Sequence, residues 1–251
     1  MSDIWTRCEG DKQLQSFDSL AYRIVESQEK VATMSLVDTS AEQLLLESLL
    51  EYSKPASATS DKLHYLLSTP FRYPPLAHGS RFGVKSQGGL FYASLSTTTT
   101  LAECAYYRFV FWYGMEIPPP AQRIMSDYTS FAVSVATHQA ILLHQEPFLS
   151  YREQISHPAN YQHSQQLGES MREADVEACS YFSARDQHNG INIGLFSPKA
   201  LKSREPQSKK LWSCVVTENQ VSFIQLHATA EAYNFPLSDF LYNDSLPMPA
   251  C

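Results

Sequence analysis

Hydrophobic and polar positions along the chain change rhythm several times, and each rhythm predicts an element. Phe17, Leu20, Ile24 and Val31 recur near the helical period, so 14–31 is expected as an amphipathic helix. Thr39-Ser40-Ala41-Glu42-Gln43 opens a second helix. Either Thr39 with Glu42 or Ser40 with Gln43 can close a capping box, and Leu45, Leu46, Leu49 and Leu50 give it an apolar stripe. Lys54 to Ser60, with its proline and small residues, reads as a linker. Phe71-Arg72-Tyr73-Pro74-Pro75 is expected to be stiff and extended, because each residue before a proline is pushed out of helical geometry. Gly79, Gly83, Gly88 and Gly89 punctuate a loop, and Leu90 to Leu95 has strand character. Thr97 to Thr100 then offer competing N-caps, with Thr100 and Glu103 in capping-box register at the head of a helix running to about Phe111.

Beyond Pro118-Pro119-Pro120 the period falls to two. Phe131, Val133 and Val135 share one face of a strand, and Gln139–Leu143 is a candidate neighbour. Ser164–Cys179 reads as a helix containing Gly168. Two hairpins follow. One joins Cys179–Ala184 to Ile191–Phe196 across Asn189-Gly190, and the other joins Lys210–Thr217 to Gln220–Leu226. Residues 1–60 are expected to be an N-terminal helical extension, 61–235 the main domain and 236–251 a peripheral tail.

Composition narrows the function classes. A net charge of −7 argues against direct nucleic-acid contact, which rests on basic side chains neutralising phosphates. No apolar run reaches membrane-spanning length, and the first residues lack the basic and apolar regions of a signal peptide. Five cysteines without C-x-x-C spacing point to reduced thiols in a cytoplasm, with no disulfide framework and no zinc site. No histidine pair has the spacing of a zincin, and Rossmann, P-loop and G-x-S-x-G patterns are missing.

The stretch from Thr69 to Trp112 concentrates the candidate chemistry: Arg72, Tyr73, Arg81, Tyr92 and Glu103. Guanidinium groups grip phosphate bidentately, and a carboxylate can face a sugar hydroxyl or a developing positive charge. On pattern alone, the plain reading of Glu103 is the reciprocal arm of a capping box. Isolated arginines are ordinarily surface ion-pair partners.

Arg72-Tyr73, Gly79-Ser80-Arg81-Phe82-Gly83, Tyr92-Ala93, Thr100 to Glu103 and Tyr181-Phe182-Ser183-Ala184-Arg185 occur in an order that resembles the RES domain. That family is named for arginine, glutamate and serine and is found in bacterial toxin–antitoxin systems. The resemblance spans roughly Leu66 to Leu201. Phe82-Gly83 stands where the family has Trp-Asn, Ser80 replaces a glycine and Phe182 replaces a proline.

The resemblance implies an α+β fold similar to the ADP-ribosyltransferases, with a split, mostly antiparallel β-sheet and flanking helices. It implies NAD as substrate, cleaved at the nicotinamide–ribose bond, with inorganic phosphate as acceptor. Catalytic roles fall to Glu103, Arg72 and Ser183, and substrate binding to Arg72, Tyr73, Arg81, Tyr92 and Ser183. An antitoxin with a helix-turn-helix part is the implied partner. From its apolar stripes, and not from the resemblance, the N-terminal arm is expected to pack on the main domain or on a second subunit of a homodimer. Transfer of ADP-ribose to a protein, simple hydrolysis of NAD, and a catalytically silent partner-binding scaffold remain open.

Overall fold

The computed structural model describes residues 3–27, 36–53, 63–73, 79–226 and 231–248. The expected linker at 54–60 lies outside them. Eight strands form one mixed sheet in the order β1-β2-β5-β4-β3-β6-β7-β8. They are β1 (Gln15–Glu26), β2 (Phe91–Ser94), β3 (Ile124–Leu142), β4 (Ala178–Phe182), β5 (Ile191–Leu195), β6 (Gln207–Val216), β7 (Gln220–Gln225) and β8 (Ala232–Pro236). All pairings are antiparallel except the short one between β3 and β4. The helices are α1 (Ile4–Arg7), α2 (Ser40–Ser53), α3 (Tyr65–Arg72), α4 (Thr97–Tyr113), α5 (Arg152–Ile155) and α6 (Gln162–Glu173).

The sheet splits at β3. One edge of this 19-residue strand pairs with β1 from Tyr128 to Ala140. The other edge takes β6 from Ile124 to Ala132, then β4 from Ala140 to Leu142. Because β1 also pairs with β2 at Tyr22 and Ser94, the strands β1, β2, β5, β4 and β3 close on themselves. Residues 139–143, expected as a neighbouring strand, are therefore mostly the far end of β3 itself.

Three apolar clusters hold the layers together. One packs α1 and α6 on the sheet through Trp5, Phe82, Phe148, Leu167 and Met171. A second fills the closed part with Ala21, Phe91, Phe131, Val133, Val135 and Ile193. The third seats α4 on β6 and β7 through Leu101, Phe109, Trp212 and Phe223. Burying an aromatic side chain of this kind contributes on the order of 2–3 kcal/mol. Phe240 is buried beside α4, and the Tyr106 hydroxyl donates to the Pro247 carbonyl at 2.5 Å. The described part of the C-terminal segment is thus tied to α4.

Several expectations are corrected. Residues 15–26 are not helical but form β1, whose Ala21 is wholly buried in the core. The helix expected over 164–179 ends at Glu173, and 178–182 is β4. Arg72 closes α3, a helix that tolerates Pro70, and Tyr73 after it is extended; Pro74 and Pro75 lie outside the described residues. The Thr39–Glu42 capping box is present, with the Thr39 hydroxyl accepting from the Glu42 amide and the Glu42 carboxylate accepting from the Thr39 amide. Its helix α2 leaves Leu45 and Leu49 each 60% exposed. Among the described residues, no helix is long and apolar enough to cross a membrane.

Candidate active site

A cavity of about 740 Å³ opens between β1, β2, α4 and the loop 79–92. Its walls include five of the expected site residues or their neighbours: Tyr73, Arg81, Tyr92, Glu103 and Arg185, the last two positions after Ser183. Arg72 is not among the lining residues; its place at the end of α3 puts Tyr73 at the cavity instead.

Glu103 owes its position to where α4 begins. Ser96 is the N-cap, its hydroxyl accepting from the Thr99 amide at 3.0 Å, so the helix starts at Thr97. The Thr100–Glu103 pair therefore lies inside the helix, beyond the first turn, where its amides are already paired along the ladder. Glu103 is free of capping duty and reaches across to the β4–β5 hairpin. Its Oε1 accepts from the Ser183 hydroxyl at 2.5 Å and from the Asn192 side-chain amide at 2.6 Å. Asn192 is itself oriented by the Ser94 hydroxyl, which donates to its Oδ1 at 2.7 Å. Ser94, Ser183 and Asn192 are all buried. Both hydrogen bonds fall on Oε1, so one carboxylate oxygen is anchored and Oε2 takes neither.

Ser183 is fixed from behind. Its hydroxyl oxygen accepts from the backbone amides of Arg185 at 3.0 Å and Asp186 at 3.1 Å, a serine turn at the mouth of the hairpin. Its O–H is then available to Glu103. One residue thus both closes a turn and holds the glutamate.

Arg81 and Arg185 are held without carboxylates among the described residues. Arg81 donates through one nitrogen to the carbonyls of Ile155 and His157, each at 3.1 Å, and lies 4.6 Å over the Tyr161 ring. Arg185, 3% exposed, donates to the Pro158 carbonyl at 2.7 Å and stacks 3.5 Å over the Tyr106 ring. Burial, followed by these two guanidinium groups, lowers the His157 pKa and favours the neutral imidazole. Tyr92 anchors the loop: its hydroxyl accepts from the Phe82 amide at 3.1 Å and bonds the Ser80 hydroxyl at 3.0 Å. Burial, only partly offset by these hydrogen bonds, pushes its pKa up to about 12. The loop closes onto α6 because position 168 is glycine. A Cβ there would come within 2.2 Å of the Phe82 carbonyl oxygen. At the loop's start, Gly79 holds φ +76°, a conformation costly for other residues.

Asn192 was not singled out from sequence, and Arg23 is a second residue that sequence reasoning missed. It projects from β1 into the cavity wall, donates to the Tyr92 carbonyl at 2.5 Å and lies 4.9 Å over the Phe91 ring. Its Nε is buried without a hydrogen-bond partner, and burial brings its pKa down to about 10. Tyr22-Arg23-Ile24-Val25 carried the available signal: an aromatic and two β-branched residues around the arginine favour a strand over a helix. Among the described residues, no group of three or more His, Cys, Asp or Glu is placed to hold a metal ion.

The RES-domain family description matches residues 55–217, so the chain belongs to the RES-domain family. A matching solved structure is the crystal structure of the M. tuberculosis MbcT–MbcA toxin–antitoxin complex. It is similar at 9% identity and a TM-score of 0.48, covering 85% of this chain and 91% of the other. No curated protein sequence matches the chain.

Proposed function

We propose that this protein is an NAD-consuming toxin that cleaves the nicotinamide–ribose bond and passes the ADP-ribosyl group to inorganic phosphate. RES-domain toxins act on NAD, and family membership brings that expectation to this chain. The observation that carries the reading is Glu103: a carboxylate on a cavity wall, anchored through one oxygen by neutral donors and paired with no cation among the described residues.

Breaking the bond sends its electron pair to the nicotinamide nitrogen, which leaves neutral, and positive charge develops on the ribose. A fixed carboxylate stabilises that charge more than it stabilises the ground state, which is what lowers a barrier. A phosphate oxygen then forms the new bond to the anomeric carbon. Ser183 and Asn192 act as positioning residues through Glu103. Arg23, with its orphaned Nε, suits the pyrophosphate better than Arg72 or Arg81. Arg72 is not among the lining residues, and Arg81 is committed to two carbonyls. Tyr73, which lines the cavity, would flank the nicotinamide or its ribose.

An enzyme of this kind acts in the cytoplasm and needs a neutralising partner. An antitoxin with a helix-turn-helix part fits the net charge of −7, which leaves DNA contact to the partner. The test is incubation of purified protein with NAD, with and without phosphate. ADP-ribosyl phosphate formed only with phosphate supports the reading. Free ADP-ribose at the same rate in both marks hydrolysis, ADP-ribose on protein marks transfer, and intact NAD marks a scaffold.

A further inference from the structure

The sheet ends at β8, and the outer edge of that strand is open. The Gln225 amide donates to the Glu231 carbonyl and the Leu237 amide to the Asn219 carbonyl, both in the register that pairs β7 with β8. Hydrogen-bonded pairs alternate along an antiparallel ladder, so Tyr233 and Phe235 direct their backbone groups at β7. Ala232 and Asn234 therefore turn N–H and C=O outward, and Pro236 turns out a carbonyl alone. All three residues are exposed, and among the described residues no backbone hydrogen bond reaches these groups from another element.

A short strand that ends in proline is one way to guard an edge against indiscriminate pairing. This edge also borders a second cavity, of about 270 Å³. Ala232, Tyr233, Asn234 and Phe235 line it in succession, whereas a cavity over one face of a strand would meet only alternate residues. The space thus runs along the edge. Its other walls bring in two carboxylates, Asp186 from the β4–β5 turn and Asp239 from just beyond β8. Asp186 is fixed by the Thr99 hydroxyl at 2.7 Å and the His188 amide at 2.9 Å, both neutral donors. The Gln187 side-chain amide donates to the Asp239 carbonyl and ties the turn to the segment after β8. No hydrogen bond or ion pair reaches the Asp239 carboxylate among the described residues. The cation in the wall, Arg185, is already held by the Pro158 carbonyl and the Tyr106 ring.

We infer that β8 is a docking edge for an extended segment of another polypeptide, one with lysine or arginine at alternate positions. The segment's backbone adds a strand to the sheet, and its basic side chains reach Asp239 and Asp186. Pro236 sets the register, since a residue opposite it gains one backbone bond where a residue opposite Asn234 gains two. A second copy of this chain does not fit. From Glu231 to Cys251 the sequence holds Glu231, Asp239 and Asp244 and no lysine, arginine or histidine, and two chains of net charge −7 repel each other.

Amide hydrogen exchange of the purified full chain, read by NMR, tests the edge with two blocked pentapeptides, Val-Lys-Val-Lys-Val and Val-Glu-Val-Glu-Val. The lysine peptide should slow exchange at Ala232 and Asn234 and leave the amides around Glu103 as they were. The glutamate peptide should protect neither. In calorimetry, Ala232→Pro removes an outward N–H that β7 does not use, and should weaken the lysine peptide roughly 3- to 10-fold. Ala232→Val, which keeps the N–H, should bind as the wild type does. Asp239→Asn should weaken it roughly 2- to 5-fold, the range of a partly exposed ion pair. No protection by the lysine peptide, equal protection by the glutamate peptide, or unchanged affinity in either Ala232→Pro or Asp239→Asn overturns the inference. Protection of the same amides that grows with protein concentration in the absence of peptide also overturns it, by putting a second copy on the edge.

Discussion

Charges on this protein's surface and four of those on its cavity wall are compensated in opposite ways; the Arg108–Glu26 pair at 3.4 Å on the same wall is an exception. On the surface, Lys12 pairs with Glu9 at 2.8 Å and Lys202 with Asp18 at 3.4 Å, exposed contacts of little energetic weight. Around the cavity, Glu103 is held by a serine and an asparagine, and Arg23, Arg81 and Arg185 by carbonyls and aromatic rings. Neutral partners fix a charged group in place without cancelling its charge. Such an arrangement costs stability, since desolvation is only partly offset by hydrogen bonds. The charge that remains is available to a ligand carrying both phosphate and developing positive charge.

Substitutions can break this contrast, beginning with Arg23, one of three arginines among the described residues whose buried Nε has no hydrogen-bond partner. Arg23→Met should raise the KM for NAD at least about 30-fold, in line with losing a charge-assisted contact to phosphate. Its melting temperature should hold or rise, because a desolvated cation has been replaced by an apolar chain. A lower melting temperature with unchanged KM would make Arg23 a structural strut. Ser183→Ala and Asn192→Ala each remove one anchor of Oε1. Either should lower kcat about 10- to 100-fold by letting the carboxylate drift, with the KM for NAD little changed. A double variant no worse than the worse single one would show that the two anchors act as a unit. Unchanged kcat in both singles would mean that Glu103 needs no positioning. The smallest effect is Gly168→Ala. It should cost about 1–3 kcal/mol in denaturant unfolding by pushing α6 off the Phe82 backbone. Wild-type stability there would show that the loop yields freely.

How much of this was legible in the sequence depended on whether local signals agreed with the tertiary environment. The β4–β5 and β6–β7 hairpins were legible because turn residues and alternating apolar positions coincide. β1 was not. Its one fully buried residue is Ala21, too small to mark a strand face, while Phe17, Leu20 and Ile24 happen to fall at helical spacing. Misplacing β1 concealed Arg23, which the helical reading of 14–31 did not single out. β3 looked like two strands because Thr137, His138 and Gln139 interrupt its apolar run, just where pairing along one edge has passed from β6 toward β4. Glu103 was singled out but its local role stayed open, since a row of threonines offers several caps. The structure places the cap at Ser96, one turn before Thr100, and releases the glutamate to the hairpin.

The central claim is that the negative charge of Glu103 does chemical work at the cavity wall. Release of nicotinamide from NAD by purified wild-type and Glu103→Gln protein measures this directly. The amide keeps the shape, can still accept through its carbonyl oxygen, and removes only the charge. The account predicts a fall in kcat of about 10²–10³, with NAD affinity and melting temperature close to wild type. Glu103→Gln protein that releases nicotinamide at the wild-type rate would contradict it.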